Sequence, residues 1–120
     1  MGDISRNFSR HEFSCNCRDC DFDTVDAELI TVLEKAREYF KRKINVTSGA
    51  RCTLHNMRVG GSVKSQHLYG KAADIQVDGV NPHAVAEYFR TEYPDRYGIG
   101  QGDSFTHVDV RPNKARWKYS

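Results

Sequence analysis

The apolar residues change their period along the chain, and each period predicts an element. From Asp26 onward Leu29, Ile30, Leu33, Ala36, Tyr39 and Phe40 recur three and four residues apart, with Glu34, Lys35, Arg37, Glu38, Lys41 and Arg42 on the other face. That spacing predicts an amphipathic helix whose basic end suits the negative pole of its dipole. Upstream, Ser9-Arg-His-Glu12 has the form of a capping box and predicts a short helical turn after Phe8. Ile44–Ser48 reads as a strand closed by Gly49, and Ala72–Val77 alternates as another. Asn81-Pro82 offers an N-cap and a first-turn proline for a second helix, with Val85, Ala86 and Phe89 inward and Pro94 as its stop. Tyr97–Gln101 and Phe105–Val110 flank Gly102-Asp103-Ser104 and read as a hairpin. Two main helices against a small, mostly antiparallel sheet make an α+β fold, and 120 residues predict one domain, 1–120.

The polar stretch from Arg51 to Gly70 interrupts this pattern. It is too long for an idle connection, and loops of that length usually carry function. Trp117 and Tyr119 close the chain and are expected to cap the core, while Tyr69 and Tyr97 are candidates to line a groove. His11 and His83 fall in first turns of predicted helices, where exposure is the default. His55 lies within the polar stretch.

Composition narrows the class. Hydrophobic residues are 38% and charges of both signs are mixed, as in a globular domain. A formal net charge of +2 without a basic stripe argues against a nucleic-acid partner. No segment approaches the roughly 20 apolar residues of a membrane span, and the first residues lack the apolar core of a signal peptide. A monomer made in the cytoplasm is the expectation. Cys15, Cys17, Cys20 and the distant Cys52 lack the second close pair of a zinc ribbon. Disulfides, packing thiols and a second metal remain open for them.

The chemistry concentrates in three places. His67 and Asp74 flank Gly70, which lets the backbone turn between the loop and the strand that carries Asp74. Imidazole nitrogen and carboxylate oxygen are both good zinc donors. Asp74 stands among Ala72, Ala73, Ile75 and Val77, where an ionised carboxylate is costly unless a cation or hydrogen bonds compensate it. A Lys or Arg partner would also serve. His107 lies mid-strand among apolar neighbours, with Phe105 and Asp109 on its face. Alone it reads as a hydrogen-bonded core histidine. Two His and one Asp together match the three protein ligands of a catalytic zinc, with a fourth position open to water.

Ser48-Gly-Ala-Arg51, Ser65-x-His67-x-x-Gly70-x-Ala72-x-Asp74 and Phe105-x-His107-Val-Asp109 together resemble the M15 family of zinc peptidases, the D-Ala-D-Ala carboxypeptidase-like enzymes. The resemblance spans nearly the whole chain and implies a Hedgehog/DD-peptidase-like fold. It implies His67, Asp74 and His107 as ligands of Zn2+, and Arg51 as a group that holds the substrate or stabilises the oxyanion. A structural salt bridge is the plain alternative for Arg51. Ser65 and Tyr69 join Arg51 as candidate substrate contacts. For the general base, Asp109 on the face of His107 is favoured, with Asp103 as its rival. The implied substrate is the stem peptide of bacterial peptidoglycan, cut at L-Ala–D-Glu as by a phage endolysin or, second, at D-Ala–D-Ala. A holin-type pore would then deliver the protein to the wall. The alternative from another class is a catalytically inactive, zinc-stabilised binding module, since this architecture also serves signalling. A closed structural zinc domain would be blander still.

Overall fold

The computed structural model describes residues 5–16, 25–59 and 65–119, with the backbone alone at 53–55. Five strands form one sheet: β1 (Ile44–Ser48), β2 (Ala72–Val77), β3 (Gly98–Gln101), β4 (Thr106–Asp109) and β5 (Ala115–Lys118). Their order across the sheet is β1-β2-β4-β3-β5. All neighbours are antiparallel except β3 and β5, which run parallel. Three α-helices accompany them: α1 (Ala27–Phe40), the short α2 (Thr53–Arg58) and α3 (Pro82–Glu92).

Strand alternation divides the sheet into an apolar face and a polar one. Ile44, Ala73, Ile75, Val77, Ile99 and Val108 share a buried cluster with Leu29, Val32, Leu33 and Ala36 of α1 and with Val85, Ala86 and Phe89 of α3. The opposite face is crossed by one register row, Ser48–Asp74–His107–Gly100–Trp117. Strand β2 is thus buried on both faces, but its polar-face residue at the centre is a carboxylate.

The expected boundaries hold where caps set them. Asp26 accepts from the Glu28 N–H at 2.8 Å to start α1, and Asn81 accepts from the Ala84 N–H at 2.9 Å to start α3, with Pro82 in the first turn. Ser9–Glu12 starts a 3-10 turn, Arg10–Phe13, in which the Glu12 carboxylate accepts from the Ser9 N–H at 2.7 Å. Val32 joins the core, whereas Tyr39, expected inward, is 65% exposed and stacks on Tyr88 at 4.5 Å. Helical periodicity places Tyr39 at the margin of the apolar stripe, where it packs on Phe40 and Tyr88 instead of the core. Tyr97 also departs from expectation. It is buried and its hydroxyl donates to Glu28 at 2.5 Å, so it ties α1 to the sheet and lines no groove. Burial and that carboxylate push its phenol up to about 12.

The polar stretch after Arg51 is not a bare loop. It contains α2 and a 3-10 turn, Gln66–Tyr69, ended by Gly70 in the left-handed region at φ 67°. Two cysteines meet there: the sulfurs of Cys15 and Cys52 lie 3.7 Å apart, while Cys17 and Cys20 lie outside the described residues.

The C-terminal strand corrects a further expectation. Trp117 and Tyr119 do not cap the apolar core; their strand extends the sheet, and Trp117 lies on the polar face. Arg116, on the opposite side, pins β5 by donating to the carbonyls of Tyr97 and Tyr93 at 2.6 Å each. Among the described residues no helix is long and apolar enough to cross a membrane.

Leu33→Ala should cost about 2–5 kcal/mol of unfolding free energy, since it empties a fully buried site between helix and sheet. Tyr39→Ser should stay within about 1 kcal/mol. Chemical denaturation of the two variants separates these outcomes.

Candidate functional site

Each side chain of the polar row is held from behind. His67 sits on the 3-10 turn, whose N-cap Ser65 accepts at its hydroxyl oxygen from the His67 N–H at 3.2 Å. The turn is clamped to the segment after β1: the Arg51 N–H donates to the His67 carbonyl at 3.0 Å, and His67 Nδ1 lies 2.6 Å from the Gly49 carbonyl. Gly49 cannot be larger, because a Cβ there would stand 2.5 Å from the Phe13 backbone. Strands β2 and β4 bring Asp74 and His107 side by side in register.

The ligand-type atoms of His67, Asp74 and His107 lie within 4.8 Å of one another, and all three residues are buried. His67 Nε2 is 3.4 Å and His107 Nδ1 2.9 Å from Asp74 Oδ1. A tetrahedral site with bonds of about 2.0–2.1 Å needs ligand atoms about 3.3 Å apart, close to both imidazole distances from Asp74.

Proton accounting points the same way. The Gly49 carbonyl only accepts, so His67 Nδ1 carries the proton and a neutral ring turns the Nε2 lone pair toward the Asp74 carboxylate. His107 Nε2 lies 2.7 Å from Asp109 Oδ2, so its other nitrogen, Nδ1, also faces Asp74 with a lone pair when the ring is neutral. Lone pairs converging on a carboxylate require a proton or a metal cation between them. In the metal-free protein a proton on His107 Nδ1 fills that role toward Asp74. Burial pushes His107 down, but hydrogen bonds to Asp109 and Asp74 outweigh it and hold the imidazole above its ordinary value. Burial pushes Asp74 up, yet His107 and His67 hold it well below the usual carboxylate range. The donor set therefore fits zinc: two neutral imidazoles whose far nitrogens are already engaged, and one carboxylate.

Asp109 stands behind this group, not in front of it. Its carboxylate is fully buried and takes His107 Nε2, the Gly98 N–H at 3.1 Å, and a two-pronged contact from Arg111 at 2.7 Å on each oxygen. Burial pushes Asp109 up, but His107 and Arg111 more than offset it and keep it ionised. No oxygen is left to face a water over the triad, which differs from the expectation of a base. Asp103 is exposed at the hairpin tip, three residues beyond the level of His107, or about 10 Å along the strand.

Arg51 lies beside the triad on the β1 side. Its guanidinium reaches Asp74 Oδ2 at 3.4 Å, Asn56 at 3.3 Å and Ser48 at 3.3 Å. It combines both sequence readings, an ion pair to Asp74 and a cation at the site. Ser65 shapes the turn, and Tyr69 is 59% exposed on it. The side chain of His55 is outside what the structure describes. Asn56, Arg111 and Trp117 were not anticipated. Trp117 has its ring 5.0 Å from that of His107, with the Arg111 guanidinium 5.3 Å over it. The alternation Gly98-x-Gly100-x-Gly102 was the available signal: a Cβ at Gly98 would strike Asp109, and one at Gly100 would strike Trp117.

A protein-family model described as peptidase M15 matches residues 6–109 of the chain. No curated protein matches it.

Two outcomes follow from this geometry. Asp109→Asn should keep the fold but weaken zinc binding roughly 10–100-fold, as measured by chelator competition. The metal-free protein should also lose thermal stability as pH rises. A raised His107 contributes fully below 6.5, its ordinary value, and loses that contribution as pH passes its higher folded value. Zinc needs the neutral rings, so the stabilisation it adds should grow over the same interval. Calorimetry with and without zinc at about pH 6 and about pH 9 checks the sign.

Proposed function

The chain belongs to the peptidase M15 family, and from that membership we propose that it hydrolyses the stem peptide of bacterial peptidoglycan, at L-Ala–D-Glu as an endopeptidase in preference to D-Ala–D-Ala as a carboxypeptidase. The family comprises zinc peptidases, and the three clustered ligand-type side chains are the observation that carries the reading. His67, Asp74 and His107 would hold the metal. When bound, zinc supplies a Lewis acid that polarises the scissile carbonyl and makes water nucleophilic at neutral pH.

The chain's own residues supply position and charge. Asp109 fixes the His107 tautomer and ring plane, and Arg111 fixes Asp109 in turn. We assign Asp109 this positioning role in place of the proton shuttle. Arg51, on the β1 side, has donors to spare for a substrate carbonyl or its developing oxyanion. Its contacts of 3.3–3.4 Å are longer than good charge-assisted bonds, so it can turn to substrate at small cost. The polar row continues on both sides of the triad, with Ser48 and Arg51 beyond Asp74, and Trp117 beyond His107. That arrangement suits a peptide passing over the triad, which supports an endopeptidase. Ser65 and Tyr69, on the turn that carries His67, would meet the same peptide.

One observation favours a second reading. Among the described residues neither Asp103 nor Asp109 offers a free carboxylate to the open side of the triad. A zinc-stabilised module that binds wall peptides without cutting them would need no such base.

Digestion of peptidoglycan by the zinc-loaded protein, read by mass spectrometry, tests both. The peptidase reading expects new amine ends at L-Ala–D-Glu, none from His67→Ala, and a roughly 10²–10³-fold fall in kcat for Arg51→Ala with zinc retained. Intact muropeptides alongside stoichiometric zinc and measurable peptide binding would overturn it in favour of the binding module.

A further inference from the structure

The polar face continues past His107 into three aromatic rings that the metal triad does not use. Trp117 packs on His107, Phe105 and Tyr119 have ring centroids 5.0 Å apart, and Trp117 and Tyr119 are 6.2 Å apart edge to face. Phe105, just before β4, alternates onto the face of His107, and Tyr119, just after β5, onto the face of Trp117, both still paired to the β3 segment through backbone hydrogen bonds. Between these strands runs β3, which puts only glycines on that face. A Cβ at Gly100 would lie 2.4 Å from Trp117 Nε1 and 2.9 Å from Tyr119 Cε2, and one at Gly102 would lie 2.5 Å from Phe105. Glycine at both positions lets rings from β4 and β5 close over β3 into one surface joined to the triad. Trp117 and Tyr119 lie C-terminal to the span matched by the family model.

This surface is built but not sealed. Trp117 and Phe105 are half-buried, and Tyr119 is 42% exposed although it is a large hydrophobic ring in a packed cluster. The rings lie against one another and against the glycines, so they present faces and edges without a deep hole. Such a wall suits an aliphatic group lying flat on it. Burial pushes the Tyr119 phenol up, aided by the charges of Asp74 and Asp109 and opposed by the Trp117 indole and Arg51. The phenol is thus a hydrogen-bond donor at neutral pH, close enough to the triad to feel its charges.

We propose that Phe105, Trp117 and Tyr119 form a specificity-determining subsite on the His107 side of the triad, which takes an aliphatic side chain of the peptide and donates the Tyr119 hydroxyl to a neighbouring peptide carbonyl. The subsite deepens the wall-peptide reading and rests on it. Its position next to His107 places the bound residue adjacent to the bond that is cut. Tyr119 and Trp117 act by holding substrate, so their removal raises KM more than it lowers kcat.

Trp117 is the only tryptophan of the chain, so its emission reports this subsite without any need for turnover. The test titrates the zinc-loaded protein with an uncrosslinked muropeptide tetrapeptide, following Trp117 emission and, separately, cleavage kinetics. Saturable change in emission is expected for wild type, with a roughly tenfold weaker midpoint for Tyr119→Ala and partial recovery in Tyr119→Phe. Trp117→Phe should keep its zinc content and raise KM less than Trp117→Ala. A peptide in which the alanyl residues are replaced by glycine should bind wild type more weakly, because it loses the aliphatic contact with the rings.

The outcomes separate the two proposals. Cleavage by wild type with KM unchanged within twofold in Tyr119→Ala and Trp117→Phe overturns the subsite and leaves the peptidase standing. An emission change without cleavage in wild type, lost in Tyr119→Ala, supports the subsite and overturns the peptidase. Neither emission change nor cleavage overturns both. Zinc content and unfolding temperature of each variant guard against misfolding, and a variant that fails either is replaced by Phe105→Leu, for which weaker peptide binding is expected.

Discussion

A buried carboxylate governs this structure. Asp74 sits in the middle of a strand covered on both faces, where an unpaired charge would be too costly to fold around. Two imidazoles and a guanidinium surround it, and each is fastened elsewhere: His67 to the Gly49 carbonyl, His107 to Asp109, and Arg51 to Ser48 and Asn56. The cost of burying Asp74 is met only when the turn at 66–69, the segment after β1 and the β2–β4 pair all come together. The same group of side chains that resolves a folding problem also forms a metal site.

The second layer explains why so small a sheet can hold the site in place. Asp109 and Arg111 form a fully engaged pair behind His107, with both carboxylate oxygens used. That pair orients the ring and leaves nothing free for proton transfer. A carboxylate two residues after a ligand thus has two possible fates, and which one applies depends on whether a cation lies behind it. Here Arg111 does.

The glycines of β3 do comparable work by leaving space. With side chains at 98, 100 and 102, Asp109 could not lie under the sheet face and Trp117 could not reach His107. The strand that carries Trp117 is parallel to β3 and anchored through Arg116 to the end of α3, so the aromatic wall and the metal triad share one rigid support.

Periodicity and capping chemistry, both local, were enough to read α1, α3, the four antiparallel strands and the hairpin from the sequence. The peptidase M15 likeness was legible because its spacing of His67, Gly70, Asp74 and His107 is itself a chain pattern. Side-chain destinations that depend on partners far along the chain were not. Tyr97 and Tyr39 have similar chemistry, yet one is buried on Glu28 and the other lies at the margin of the stripe. Asp109 looked like a free carboxylate until Arg111 and His107 folded onto it, and Trp117 looked like a core cap until β5 paired parallel to β3. Sequence alone determined which elements form and which residue types can bind a metal, because those follow from the neighbours in the chain. Only tertiary structure decided what each carboxylate and ring does, because a charge or an aromatic face takes its role from whatever the fold sets opposite it.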